Sequence, residues 1–131
     1  KEASVLKSEI LNAPLLAALA TCGHTDTVVI ADCGLPLPHG PQIIDLALVQ
    51  GMLSFEQVLD VLARNLVVEN STLAAEAENG PVQELCRRKG LDPQFISHEE
   101  LKAQLPQAKV IVRTGEATPY ANVILHCGVA F

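Results

Sequence analysis

The chain has 131 residues, room for one domain with a real core and not for two. Hydrophobic residues make up 49% and aromatic residues only 3%, so the core has to be aliphatic. The net charge is −6 and the nine Lys and Arg are scattered except for Arg87-Arg88-Lys89, which excludes the clustered basic surface that nucleic acid requires.

In chain order, Ser8 is expected to cap a helix carrying Ile10, Leu11, Leu15 and Leu19 at helical spacing, with Pro14 shifting its start or kinking it. Thr27 to Ala31 is a short apolar run rich in β-branched residues, the pattern of a strand buried on both faces. Residues 32–38 read as a loop full of breakers. Ile43 to Val49 fits either a strand or a short helix. Ser54 and Gln57 stand in capping-box spacing before Val58, Leu59, Val61, Leu62 and Leu66, which predicts a helix. Leu66 to Val68 could begin another strand. Pro81 suits the first turn of a helix through Arg88, with its basic last turn at the favoured end of the dipole and Gly90 ending it.

A second capping box, Ser97 with Glu100, opens a helix through Leu101 and Leu105. Val110-Ile111-Val112 and Val123-Ile124-Leu125 read as strands. Strands alternating with amphipathic helices predict an α/β layered domain over residues 1–131, without repeat or linker.

No stretch approaches the ~18 uninterrupted apolar residues of a membrane span, and no charged n-region precedes a hydrophobic segment near the start. Cys22, Cys33, Cys86 and Cys127 lie far apart with no Cys-x-x-Cys pair, so reduced thiols and a cytoplasmic location are expected. Mean hydropathy of +0.28 suggests that copies of the chain hide apolar surface against one another.

Four polar clusters flank the predicted strands or open a helix: Gly23-His24-Thr25-Asp26, Ala31-Asp32-Cys33-Gly34, Ser97-His98 and Pro119-Tyr120-Ala121-Asn122. Taken singly, each has an ordinary reading. His24 and Asp26 suit a turn, and Asp32 before Gly34 an Asx-turn. His98 suits the first residue of a capped helix, and Tyr120 packing with a satisfied hydroxyl. His39 and His126 have no such company and read as structural or surface residues. Together, two His, an Asp, a Tyr and an Asn are parts for moving protons between oxygens, and Asp32 follows a strand where open α/β sheets bind ligands. There is no Gly-x-Gly-x-x-Gly, Walker loop or Gly-x-Ser-x-Gly elbow. His24, Asp32 and His98 lack the spacing of a helical metal site, so neither metal nor cofactor is expected.

Gly-His-Thr-Asp at 23–26, Ala-Asp-Cys-Gly-Leu-Pro-Leu-Pro at 31–38 and Ile-Asp-Leu-Ala-Leu at 44–48 resemble the D-ribose pyranase family. So do Ser-Phe at 54–55, Thr-Gly-Glu at 114–116, Pro-Tyr-Ala-Asn at 119–122 and the ending Gly-Val-Ala-Phe. In the sister branch, L-fucose mutarotase, the loop after the Asp reads Ala-His-Phe-Pro and Gly follows the Tyr; Gly34-Leu35-Pro36 and Ala121 favour the ribose side. The resemblance implies a three-layer α/β/α domain around a mostly parallel sheet, assembled as a ring homo-oligomer, a decamer of two pentamers, with the sugar site at a subunit boundary. It implies cofactor-free interconversion of pyranose and furanose forms of free D-ribose, with His24 as the catalytic acid and Asp32, His98, Tyr120, Ala121 and Asn122 binding the monosaccharide. Asp26 is a candidate partner fixing the tautomer of His24. The alternatives are mutarotation of another sugar such as L-fucose, or a non-catalytic sugar-binding oligomer. Three features depart from the family: Cys33 replaces its usual Ala, Met52-Leu53 its usual Pro before Ser54, and the segment from about 77 to 96 is shorter than in many members.

Overall fold

The structure, a computed structural model, describes residues 5–131. Its centre is β1 (Thr27–Ala31), whose residues alternate between the two faces of the sheet. Val28 and Ile30 join one apolar layer, while Val29 and Ala31 join the other. The strands β5 (Val110–Arg113) and β6 (Val123–Cys127) repeat this division, with Val110, Val112, Val123 and Leu125 on the first face and Ile111 and Ile124 on the second. This is why these segments read as wholly apolar: both faces are covered. Each such side chain, fully withdrawn from water, contributes roughly 1.5–3 kcal/mol.

The sheet has six strands in the order β2-β5-β1-β6-β3-β4, with β2 (Gln42–Asp45), β3 (Val68–Ala74) and β4 (Gln94–Ile96) completing it. β2, β5 and β1 are parallel, β6 runs antiparallel to both its neighbours, and β3 and β4 are parallel to each other. The expected α/β fold with a mostly parallel sheet is therefore present. The helices α1 (Ala13–Ala20), α2 (Phe55–Asn65) and α3 (Pro81–Arg88) bury Leu15, Leu19, Val58, Leu62, Val82 and Cys86 on one face. The opposite face is covered by Leu101 of α4 (His98–Gln104), by Leu105 and Ala108 just after it, and by Leu35 of the 32–38 loop. Among the described residues no helix is long and apolar enough to cross a membrane.

Both capping boxes form as expected, Ser54 with Gln57 and Ser97 with Glu100. The start of the first helix is a correction. Asn12, not Ser8, is the cap, its Oδ1 accepting the Leu15 N–H at 2.9 Å, and Pro14 occupies the first turn. Proline has no N–H to donate, so the helix begins where that loss costs nothing. Ser8 instead accepts the N–H of Ile10. The ambiguous 43–49 stretch resolves into β2 followed by a loop, and the strand begun near Leu66 runs on from Val68 to Ala74.

That loop after β2 is pinned by a close backbone approach. Gly115 N–H donates to the Leu53 carbonyl at 2.7 Å, and its own carbonyl accepts from Gly51. A Cβ at Gly115 would overlap the Met52 carbonyl, so only glycine fits in the Thr-Gly-Glu turn.

Candidate active site

The parallel strands end on one edge of the sheet, and four polar groups converge there. Asp32 follows β1, Thr114 to Glu116 follow β5, Ser97 and His98 follow β4, and Tyr120 to Asn122 precede the antiparallel β6. Between them lies a cavity of about 460 Å³ lined by Asp32, Cys33, Gly34, Gln50, His98, Glu116 and Tyr120, among others. Carboxyl ends of strands in open α/β sheets are where ligands bind.

Each side chain is held from behind. Asn122 is fully buried, and its Oδ1 accepts the Asp32 N–H at 2.7 Å across 90 residues of sequence. Asp32 Oδ1 in turn accepts the Gly34 N–H at 3.0 Å, so the Asx-turn reading of this residue is correct and coexists with its place in the cavity wall. Arg113 donates to the Cys33 carbonyl and pairs with Asp45, fixing the loop that carries Asp32. The His98 N–H donates to Glu76, and its ring meets Tyr120 edge-on with centroids 5.1 Å apart.

Among the described residues two buried side-chain polar atoms have no hydrogen-bond partner, Nδ1 of His98 and Nδ2 of Asn122. Buried groups are ordinarily satisfied, and an orphan of this kind calls for an explanation. His98 lines the cavity, where a polyhydroxyl ligand would supply its partner, whereas Asn122 lies buried behind Asp32 and is not part of the cavity wall.

Backbone strain marks the cavity wall and the His24 turn. Among the described residues three non-glycines have left-handed φ: Thr25 at 77°, Asn79 at 64° and Tyr120 at 63°. Asn tolerates this region, whereas a β-branched Thr and a bulky Tyr are held there at a cost of about 1–3 kcal/mol. One stands beside His24 and the other lines the cavity.

His24 itself lies elsewhere. It precedes β1 whereas Asp32 follows it, and the five residues between the strand's ends span about 16 Å at ~3.3 Å per residue. Within one chain the two are on opposite edges of the sheet. His24 Nε2 instead contacts Glu69 Oε1 at 3.0 Å. Asp26, the expected tautomer partner, has its Oδ2 on the Gly23 N–H at 2.8 Å, because the 23–26 turn closes on its own backbone. Ala121 is fully buried and its methyl belongs to the core beneath the helices, not to the cavity wall. His39 is exposed, as expected, and His126 Nε2 lies 3.3 Å from the Thr72 hydroxyl.

The sequence reading missed Gln50 and Glu116 as cavity residues. Glu116 carried a signal, the Thr-Gly-Glu turn, and its carboxylate accepts from the Phe55 N–H at 2.9 Å and from the Thr118 hydroxyl at 2.6 Å. The Thr118 hydroxyl, with backbone N–H groups of Phe55, Thr118 and Ala117, holds this carboxyl below its ordinary range. Gln50 sits in an ordinary turn and gave no signal.

Similar proteins place these features in a family. A D-ribose pyranase of Bacillus cereus is 53% identical over 129 residues, covering 95% of this chain and 98% of that protein. The structure of Bacillus subtilis RbsD complexed with D-ribose superimposes with a TM-score of 0.90 at 42% identity, over 96% of this chain and 99% of that one. The fucose mutarotase of Streptococcus pneumoniae, in complex with L-fucose, shares the fold, with a TM-score of 0.74 at 22% identity over 89% of this chain and 92% of that one. With its pattern matched along residues 5–130, the chain belongs to the RbsD / FucU transport protein family.

Proposed function

We propose that this chain is an intramolecular isomerase that interconverts the pyranose and furanose forms of free D-ribose. The observation that carries the reading is the unsatisfied buried His98 Nδ1 on the wall of a polar cavity that also presents Asp32 and Tyr120, with the unsatisfied Asn122 buried behind Asp32. The identity to the Bacillus cereus D-ribose pyranase and the likeness to the ribose-bound RbsD support the choice of sugar.

The reaction needs only proton transfer. The anomeric hydroxyl loses its proton, the C1–O5 bond breaks, O5 takes up a proton, and C1 becomes an aldehyde carbonyl. O4 then attacks C1 with loss of its own proton while the carbonyl oxygen gains one, closing the furanose. A positioned acid or base typically contributes ~10²–10⁴-fold, and histidine suits the role near neutrality. In this reading His24 protonates the ring oxygen and Asp32, with His98, Tyr120 and Asn122, holds the hydroxyls. Ala121 sets the spacing of its two neighbours from within the core.

His24 reaches the cavity only from another copy. Support comes from its place on the far edge of the sheet and from the exposed Leu48, Val49, Met52 and Leu53 beside the cavity, an apolar patch suited to a subunit contact. The proposed assembly is a ring in which each boundary joins the His24 edge of one copy to the cavity of the next, two pentamers forming a decamer. The four unbridged cysteines fit a reducing compartment, the cytoplasm.

The test is NMR exchange spectroscopy on free sugars. The protein should speed transfer of magnetisation between pyranose and furanose anomeric signals of D-ribose. Buffer-rate ribose exchange with accelerated L-fucose anomers would reassign the substrate, and no response from any sugar would leave only a binding role.

A further inference from the structure

We infer that Glu69 is a positioning residue for His24, fixing its ring so that Nε2 carries a proton toward the carboxylate and Nδ1 is the nitrogen that exchanges a proton with the sugar. This rests on the assignment of His24 as the acid. Glu69 Oε1 stands 3.0 Å from His24 Nε2, and a carboxylate can only accept, so the shared proton sits on the ring. When the imidazolium gives its Nδ1 proton to the ring oxygen, the neutral ring that remains keeps Nε2–H on Glu69. The tautomer needed to take a proton back through Nδ1 is thus the one left in place.

The backbone is arranged for this contact. β3 pairs with β6 through Val68 opposite Cys127 and Asn70 opposite His126, and the register slips between them, at Glu69. A bulge turns a side chain away from its regular direction, and such irregularities gather beside active sites. Opposite it, Thr25 N–H donates to the Cys127 carbonyl at 3.1 Å, tying the His24 turn to the same strand end. Gly128 leaves the space that Glu69 occupies: a Cβ there would lie 3.3 Å from Glu69 Cβ and 3.4 Å from its Oε1.

In the isolated chain both side chains are half exposed, 51% for His24 and 53% for Glu69. Such a pair is worth at most about 1 kcal/mol in water. Its contribution is orientation, and covering by a neighbouring copy lowers the local dielectric and strengthens it.

The test compares the full-length wild type with Glu69→Val, Glu69→Gln and His24→Ala by D-ribose exchange, ribose affinity and two-bond proton–nitrogen NMR of the neutral imidazoles. Glu69→Val is expected to slow exchange roughly ten- to a hundredfold, the range seen when a metal-bound histidine loses its orienting partner, with ribose affinity unchanged. Glu69→Gln, whose amide oxygen still accepts from Nε2–H, should recover most of the rate. His24 should be the Nε2–H tautomer in wild type and Glu69→Gln and a mixture in Glu69→Val. Full exchange in Glu69→Val beside a dead His24→Ala overturns the inference and leaves the His24 assignment standing. An active His24→Ala overturns that assignment itself. Should Glu69→Val not fold, the wild-type tautomer decides alone: a proton on Nδ1 refutes the proposal.

Discussion

Cys33 stands in the wall of the cavity, half-buried, whereas Cys86 and Cys127 are buried. A small maleimide should therefore label Cys33 ahead of those two, and saturating D-ribose should slow that labelling severalfold, read by mass spectrometry. Labelling indifferent to ribose would mean the sugar binds elsewhere. The histidines separate in the same way. His24→Ala should lower exchange by roughly 10²–10⁴-fold with the fold intact, the span expected of a general acid, and His39→Ala on the exposed surface should change it little. Equal losses at both would remove His24 from its role. Asp32, His98 and Tyr120, which line the cavity, and the candidates His24 and Asn122 stand out in the sequence because polar residues beside apolar strands and Gly or Pro turns read as motifs. Glu69 does not: a Glu in a polar stretch looks like any solvated surface, and only a register slip in the sheet gives it a partner 45 residues away.

The elements that the sequence announced best are those whose signals are local. Capping boxes at Ser54 and Ser97, Pro81 at a helix start and Gly90 with φ of 83° after one are set by neighbours three or four residues away. The apolar strands β1, β5 and β6 were legible because burial on both faces leaves no polar residue within them except near their ends. β4 went unseen, being three residues long, and most of β3 did, since Glu69 and Asn70 at its start are exposed while Ser71 and Thr72 are buried. Their pairing is a tertiary fact that no local propensity encodes. The 48–53 and 114–116 loops offer the sharpest test at this scale. Gly115→Ala should destabilise the protein by about 1–3 kcal/mol, the usual cost of overpacking, as seen in denaturant midpoints. It should also weaken ribose binding, because Glu116 and Gln50 flank the contact. Wild-type stability in Gly115→Ala would show that the two loops part easily.

For the molecule as a whole, the buried thiols set an alkaline limit. Burial pushes the Cys86 thiol up to about 12 and the Cys127 thiol up to about 11 from an ordinary 9.0. Above pH 9 the unfolded chain loses these protons while the folded chain keeps them, so stability falls with rising pH until the folded thiols also ionise near 11 and 12. Urea unfolding between pH 9 and 11 should show this decline, and Cys86→Val should flatten it; a slope the same in both proteins would assign it to other groups. The ring assembly is a proposal that comes from resemblance, since one chain's sequence states that apolar surface exists and not which copy covers it. Its consequence is a site shared between two copies, because His24 and the cavity lie on opposite edges of one sheet. Co-expression of His24→Ala with Tyr120→Ala, each inactive alone, decides it. In a mixed ring about one boundary in four would join an intact cavity to an intact His24, and D-ribose exchange should return to roughly that share of the wild-type rate. A mixed assembly, verified by mass, that stays as inactive as either parent would contradict a site shared between two copies.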